Sequence, residues 1–211
     1  MTERPAFVLL EDGTWYRGTT RHTGDPAFGE VVFTTSLTGY QETFTDPSYL
    51  GQILVMTAPM IGNYGINDAD MESGRPQVAG VVVREMARSF SSWRASGGLD
   101  NWLAGFGIPV VDGVDTRRLT RHIRERGAMR GLIALGDSPT DAHNSQLLAS
   151  PSMEGQDLAS QAGTREVYRE SGPGGGSVAP RGGSRLRDET EHRPDASPIR
   201  MPGHRDACRL D

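Results

Sequence analysis

The stretch GEVVFTTSLTGYQETFTDPSYLGQILVMT, residues 29–57, decides the fold. Its two ends, EVVFTT and QILVMT, are short runs rich in Val, Ile and Thr, which predicts two strands of a sheet. The segment between them, Thr38 to Gln52, is polar and rich in turn residues, yet it carries Tyr40, Tyr49 and a Pro-Ser step that ends at Ser48. A plain connection needs only about 2–6 residues and no aromatic rings. The sequence therefore raises the question of what this segment is for.

Further strands and helices are predicted on both sides of this stretch. AFVLL and TWYRGTT flank EDG, whose Asp12-Gly13 pair is a strong hairpin signal. VAGVVVRE, IPVV and GLIAL are three more strand candidates. LDNWLAGFG predicts a short helix with Gly107 just past its end, and a last helix is predicted with Ser138 as its cap and Pro139 in its first turn. The pattern indicates an α/β domain over residues 1–150.

The clearest local structure is the helix predicted for VDTRRLTRHIRERG. Asp115 is a suitable N-cap because its carboxylate can accept from the free N–H groups of the first turn. Val114 and Leu119 occupy the two positions of a hydrophobic staple, and Leu119 and Ile123 fall on one helical face. Gly127 is expected to end the helix.

Five arginines cover the rest of this helix: Arg117, Arg118, Arg121, Arg124 and Arg126. They could present guanidinium groups to an acidic partner or to phosphate. They could also form a solvated surface, which is the commoner role of charges on a helix and is the interpretation that we favour from the residues alone. By the same reasoning Tyr40, Tyr49 and Tyr64 are expected to be packing groups before ligand contacts.

Composition limits the classes of protein to consider. The chain has 211 residues and a net charge of −5, which argues against general affinity for nucleic acids. All 22 basic residues are Arg. The first residues, MTERPAFVLLEDG, do not resemble a signal peptide, and no apolar run is long enough to span a membrane. We therefore expect a cytoplasmic protein.

No metal or nucleophile constellation is indicated by the sequence. The histidines His22, His122, His143, His192 and His204 show no paired ligand spacing. The single cysteine, Cys208, excludes an intramolecular disulfide and a Cys-based zinc site, and its surroundings offer no base that would activate it as a nucleophile. GPGGGS lacks the Lys-Ser/Thr step of a phosphate loop, so a linker is the better interpretation.

The character of the chain changes after about residue 150. Residues 151–170 are predicted to be an interdomain linker. Residues 171–211 contain no aromatic residue and show no apolar period, while Gly, Pro, Ser, Arg and Asp dominate. Such a segment cannot bury enough apolar surface to offset the entropy of ordering it, so we predict a disordered tail.

Three quoted segments carry a resemblance to a known family: LEDGTWYRG, GEVVFTTSLTGYQETFTDPSYLGQILVMTAPMIGNYGIN and DTRRLTRHIRERGAMRG. Together they resemble the small subunit of glutamine-dependent carbamoyl-phosphate synthetase, from Ala6 to about Tyr168. SPSMEGQDLASQ is similar to the linker between the two domains of that family. The resemblance implies a layered β/β/α fold of the small-subunit N-terminal type for residues 1–150.

The family's N-terminal domain docks on a large synthetase subunit, and a glutaminase domain follows it. Glutamine is hydrolysed there, and the ammonia passes to the large subunit, which makes carbamoyl phosphate from bicarbonate and ATP for arginine and pyrimidine synthesis. The resemblance implies that Ser48 contacts glutamine in the neighbouring glutaminase pocket. It also implies no catalytic residue, no metal and no cofactor in this chain, because ATP and magnesium belong to the large subunit. The alternative is a free-standing, non-catalytic interaction module that binds the large subunit.

The resemblance stops where the glutaminase domain is expected to start. The family has segments resembling DFGMKQNI and, later, GCRVTV, where this chain has RLRDETEHR and MPGHRDACRLD. With a reading frame shifted by one nucleotide and permissible codons, Arg185 to Arg193 and Arg200 to Ala207 translate into those family segments. We therefore expect the tail to be an out-of-frame translation of the glutaminase domain, which leaves the chain without the family's Cys, His and Glu.

Overall fold

The computed structural model of the protein describes residues 2–153 and residue 157. Within these residues, seven strands form one mixed sheet: β1 (Arg4–Leu10), β2 (Trp15–Thr20), β3 (Ala27–Thr34), β4 (Ile53–Met56), β5 (Gly80–Val82), β6 (Val110–Val111) and β7 (Met129–Leu135). The helices are α1 (Tyr40–Thr45), α2 (Leu99–Gly105), α3 (Thr116–Arg126) and α4 (Asp141–Ala149), and short 3-10 turns cover Pro47–Tyr49 and Asp68–Asp70. The predicted α/β class is therefore confirmed. The predicted linker and tail lie outside the described residues, apart from residues 151–153 and 157.

The sheet has the order β2-β1-β7-β3-β4-β5-β6 and combines two kinds of pairing. β2, β1, β7 and β3 pair antiparallel, whereas β3, β4, β5 and β6 are parallel. The predicted hairpin between β1 and β2 is confirmed: Gly13 has a φ of 82°, and the Asp12 side chain accepts from the Thr14 amide at 2.9 Å. Because β3 to β6 are parallel, the loops that follow them emerge at one edge of the sheet.

The two outer strands of the sheet meet at an isolated antiparallel bridge between Thr19 and Asp112. Their amides donate to each other's carbonyl oxygens at 2.8 and 2.7 Å. Gly18 allows this approach, since a Cβ at this position would lie 2.5 Å from the Asp112 carbonyl oxygen and 2.6 Å from a methyl group of Val111. The described sheet is thus one curved surface joined at its edges, and the layered β/β/α arrangement stays a prediction.

Alternate side chains of each strand enter different cores, as the period of two in a strand requires. In β1, Ala6, Val8 and Leu10 join one cluster, which also contains Leu119 and Ile123 of α3. The intervening residues of β1 pack in a second cluster with Leu147 of α4. A third cluster contains the side chains of β4 and β5 that point away from the first cluster, together with residues of α1 and α2. Each helix therefore covers a defined part of the sheet.

The structure confirms α3 in detail. Asp115 accepts from the Arg118 amide at 3.0 Å, and Gly127 follows the last helical residue with a φ of 95°. Val114 and Leu119, the two predicted staple positions, are fully buried. Every local signal in this helix agrees, which explains why the sequence predicts it correctly.

The predicted start of the last helix is wrong by two residues. The N-cap of α4 is Thr140, and Ser138 and Pro139 lie before it. Thr140 and His143 form a reciprocal capping box, in which the Thr140 hydroxyl accepts from the His143 amide and Nδ1 of His143 accepts from the Thr140 amide at 3.1 Å. Two donors are satisfied in this way, whereas a cap at Ser138 alone would satisfy one.

No helix in the described part of the chain is long and apolar enough to cross a membrane.

Candidate functional site

The segment from Thr38 to Gln52 is held in place by an aromatic pair. Tyr40, the first residue of α1, is 1% exposed and stacks on Tyr64, with ring centroids 4.1 Å apart. The hydroxyl of Tyr40 donates to the carbonyl oxygen of Gly65 at 2.6 Å. The expectation that these tyrosines are packing groups is therefore confirmed, and Tyr49 likewise packs against the same core.

Tyr64 also caps α1. Gly39, the residue before the helix, has a φ of 76° and no capping side chain of its own. Instead, the Tyr64 hydroxyl accepts from the amides of Gly39 at 2.8 Å and Tyr40 at 3.2 Å. Burial raises the pKa of both tyrosines, so both hydroxyls stay protonated at neutral pH. The cap of this helix thus comes from a residue 24 positions further along the chain.

Two further side chains tie α1 to the loop that follows β4. The amide group of Gln41 makes a double hydrogen bond with the backbone of Asn67, at 2.9 and 2.7 Å. The buried hydroxyl of Thr45 accepts from the Glu72 amide at 2.9 Å and donates to the carbonyl oxygen of Gln41 at the same distance. The helix is therefore fixed at both ends.

Ser48 lies on the 3-10 turn Pro47–Tyr49 that directly follows α1. The side chain of Asp46 accepts from the Ser48 amide at 2.8 Å, and Pro47 occupies the first position of the turn. Ser48 is exposed, and its hydroxyl makes no hydrogen bond within residues 2–153. It is thus a free hydroxyl on a rigid turn, able to donate or accept.

The arginine helix α3 presents all five predicted guanidinium groups on its exposed surface. The structure separates them by their surroundings. Arg118 lies over the ring of Tyr16, 5.3 Å from its centroid. Arg117 and Arg121 line a groove beside the N-terminal half of the helix, whereas Arg124 and Arg126 lie in the last turn. The five arginines therefore differ in their surroundings, and a role in binding an acidic partner or phosphate stays a prediction.

Sequence patterns missed two parts of this region. The sequence of helix α1 is typical of a polar, turn-rich segment and carries no helix start signal of its own, because its cap is supplied from a distant position. The groove beside α3 is lined by residues from three strand ends as well as the helix, so no local spacing indicates it. Residues 2–153 and 157 contain no group of three or more His, Cys, Asp and Glu side chains that could hold a metal ion. The predicted bystander Cys208 lies outside the described residues.

The sequence matches the family "Carbamoyl-phosphate synthase small chain, CPSase domain" over residues 8–133. The carbamoyl phosphate synthase small chain of Streptomyces coelicolor is 50% identical over 166 residues, which are 78% of this chain and 44% of that protein. The one of Thermotoga maritima is 45% identical over 175 residues, 83% of this chain and 45% of that protein.

The chain thus spans less than half the length of these two curated relatives. An aminopeptidase from Aneurinibacillus sp. strain AM-1 aligns with a TM-score of 0.38 at 12% identity, over 65% of this chain and 34% of its own, and this carries no argument about the fold. The family match, in contrast, covers more than half of the 211 residues. On that ground the chain belongs to the carbamoyl-phosphate synthase small chain family, through the family's CPSase domain.

Proposed function

We propose that this chain is the part of a carbamoyl-phosphate synthetase small subunit that docks on the large synthetase subunit, and that it does not hydrolyse glutamine by itself. Family membership supports a large synthetase subunit as the kind of partner. The observation that carries docking is a set of exposed apolar side chains at one edge of the sheet. Leu37 follows β3, Met60 follows β4, and Phe90 and Trp93 follow β5, with Trp93 94% exposed.

These four belong to the seven large apolar side chains that the described residues leave exposed. The loops that carry the last three are paired with each other and not separate: Ile61 and Met86 form a parallel bridge, and the Ser91 amide donates to the Asn63 carbonyl oxygen at 3.0 Å. Several exposed apolar groups gathered on one surface are more typical of a protein interface than apolar groups scattered singly. The proposed docking surface is therefore defined by Leu37, Met60, Phe90 and Trp93.

Binding of the full chain to the purified large subunit of the same organism tests the docking proposal. We expect a stable complex on size-exclusion chromatography and a dissociation constant that rises at least about tenfold in Trp93→Ala, the usual scale of a central interface aromatic. Leu37→Ala and Leu148→Ala make a matched pair, because both residues are exposed leucines but Leu148 lies on α4. Equal effects of these two substitutions, or no complex at all, would contradict the proposal.

The absence of glutaminase activity is proposed from chemistry. Acyl transfer from glutamine needs a nucleophile, a base and oxyanion donors held together. Ser48 is the residue for which the family resemblance implies a contact with glutamine, and one hydroxyl contributes about 1 kcal/mol net, too little for measurable affinity. The complex is expected to make carbamoyl phosphate from added ammonia but not from glutamine. Saturable binding of glutamine to the purified chain in calorimetry would overturn this.

The out-of-frame tail is a separate proposal with its own test. Resequencing the gene across the codons for Val167 to Arg193 reveals whether one base restores the glutaminase frame. If it does, the intact subunit is a glutamine-hydrolysing one whose pocket includes Ser48. If the frame stands, the chain acts as a non-catalytic interaction module on the large subunit. In either case we expect it to work with that cytoplasmic enzyme.

A further inference from the structure

A groove of about 640 Å³ lies between the N-terminal half of α3 and the loops that follow β3, β4 and β5. The carboxyl ends of parallel strands are the usual place for ligands in α/β sheets. The volume is in the range of small-molecule sites, roughly 300–1,000 Å³. Most of the residues that line it carry a hydroxyl or a guanidinium group, among them Thr35, Thr57, Thr116, Arg84, Arg117 and Arg121.

The three arginines of the groove have no partner among the described residues. Arg84, Arg117 and Arg121 are exposed and take part in none of the ion pairs within residues 2–153. Elsewhere in residues 2–153 some arginines are paired and others are not: Arg94 and Arg130 contact carboxylates at 2.7 Å, whereas Arg124 and Arg126 take part in no ion pair there. Three unpaired positive charges around one concave surface favour a negatively charged ligand.

Two threonine hydroxyls give an independent indication of a ligand. Thr116 is 4% exposed, lines the groove, and makes no side-chain hydrogen bond within residues 2–153. Thr120, one helical turn further, also lines the groove, and its buried Oγ1 has no partner. Buried polar groups are nearly always hydrogen-bonded, so the unpartnered Thr120 hydroxyl requires an explanation, and the Thr116 hydroxyl is a donor still available in the groove. An acceptor atom of a ligand in the groove would give the Thr116 hydroxyl a partner.

The donors in the groove fit an oxyanion. Guanidinium groups donate in pairs to phosphate oxygens, and the N-terminus of α3 adds the positive end of the helix dipole. Asp115, the one acid in the lining, has its carboxylate engaged with the Arg118 amide. A tetrahedral oxyanion offers several acceptors at once and can satisfy donors from the helix and from the strand ends together.

We propose that this groove binds the phosphate group of a small-molecule ligand through Arg84, Arg117, Arg121 and the hydroxyl of Thr116. This site is separate from the glutamine contact at Ser48 and does not depend on docking to the large subunit.

Titration of the full chain with pyrophosphate at low ionic strength, by calorimetry and by amide chemical shifts, tests the proposal. We expect saturable binding of one equivalent, with shifts centred on Thr116 and Arg117. R117Q/R121Q is expected to raise the dissociation constant at least about tenfold, because charge-assisted bonds are the strong ones. Thr116→Val, which keeps the shape of the side chain, is expected to raise it about fivefold, the equivalent of one hydrogen bond.

R124Q/R126Q is the matched control, since it also removes two positive charges from α3 but at positions outside the groove. Its affinity should stay within about twofold of the unmodified chain. Equal weakening by both double variants would reduce the effect to non-specific charge and overturn the proposal, as would the absence of saturable binding. Saturation by succinate but not by pyrophosphate would also overturn it, in favour of a carboxylate ligand. Unfolding curves of each variant confirm that the fold is intact, and the large subunit is absent throughout.

Discussion

Replacement of Tyr64 by Phe isolates the interaction that defines the segment between β3 and β4. The substitution keeps the ring that stacks on Tyr40 and removes only the hydroxyl that accepts from the amides of Gly39 and Tyr40, at 2.8 and 3.2 Å. Gly39 is partly exposed, so its amide can be rehydrated, whereas Tyr40 is 1% exposed. Leaving the buried Tyr40 amide unsatisfied costs about 1–3 kcal/mol, and exchanging the hydrogen bond of the Gly39 amide for one to water costs about 0.5–1 kcal/mol. Y64F should therefore destabilise the fold by about 2 kcal/mol.

Urea unfolding of the full chain, followed by circular dichroism, measures this difference as a shift of the midpoint at constant slope. Y49F is the matched control, because the half-buried Tyr49 has no hydrogen bond from its hydroxyl within residues 2–153. Its effect should stay within about 0.5 kcal/mol. Amide hydrogen exchange should accelerate at Gly39 and Tyr40 in Y64F alone. Equal stabilities of Y64F and Y49F would refute the claim that Tyr64 caps α1.

Three other substitutions test the remaining structure. G18A places a methyl group 2.5 Å from the Asp112 carbonyl oxygen, and overpacking of this kind should lower the unfolding free energy by about 1–3 kcal/mol in the same assay. Burial raises the pKa of the Asp112 carboxyl, although hydrogen bonds from the Met86 and Gly113 amides oppose this. The folded chain therefore holds that proton more tightly than the unfolded chain, so stability should fall as the pH rises from 3.8 through the raised pKa. D112N, whose side-chain amide oxygen can still accept from both backbone amides, should remove this part of the pH dependence. D115A removes the N-cap of α3 and should cost about 1 kcal/mol in thermal unfolding, with Asp115→Asn retaining most of the stability.

Helix α3 was predictable because its cap, its staple and its terminal glycine are all local to one short stretch of sequence. The start of α4 was harder, since Ser138 and Thr140 are both good caps and the choice depends on the side chain of His143. Local propensity ranks candidates of this kind poorly when a partner three residues away decides between them.

Features that depend on distant residues were not predictable from patterns. Helix α1 has six residues and receives its cap from Tyr64, so its own sequence gives no start signal. The bridge between Thr19 and Asp112 joins positions that no periodicity relates. The residues that line the groove beside α3 come from different strand ends, so the groove can be predicted only once the order of the strands in the sheet is known. The resemblance to the family identified Ser48, but its role remains a proposal.

The segment between β3 and β4 consists of a buried part, which holds it in place, and an exposed turn, which carries Ser48. The hydrogen bonds and ring contacts that hold it involve residues 30–79. They include the Gln77 amide, which donates to the Phe44 carbonyl oxygen, and the Gly51 amide, which donates to the Gln77 carbonyl oxygen. The position of Ser48 therefore needs no residue outside the domain that matches the family. A turn held in this way is pre-organised before any substrate or neighbouring domain arrives, which lowers the entropy that a later contact has to overcome. The aromatic rings of Tyr40 and Tyr49 help to hold the turn in place, and the exposed hydroxyl of Ser48 is the group that the turn makes available.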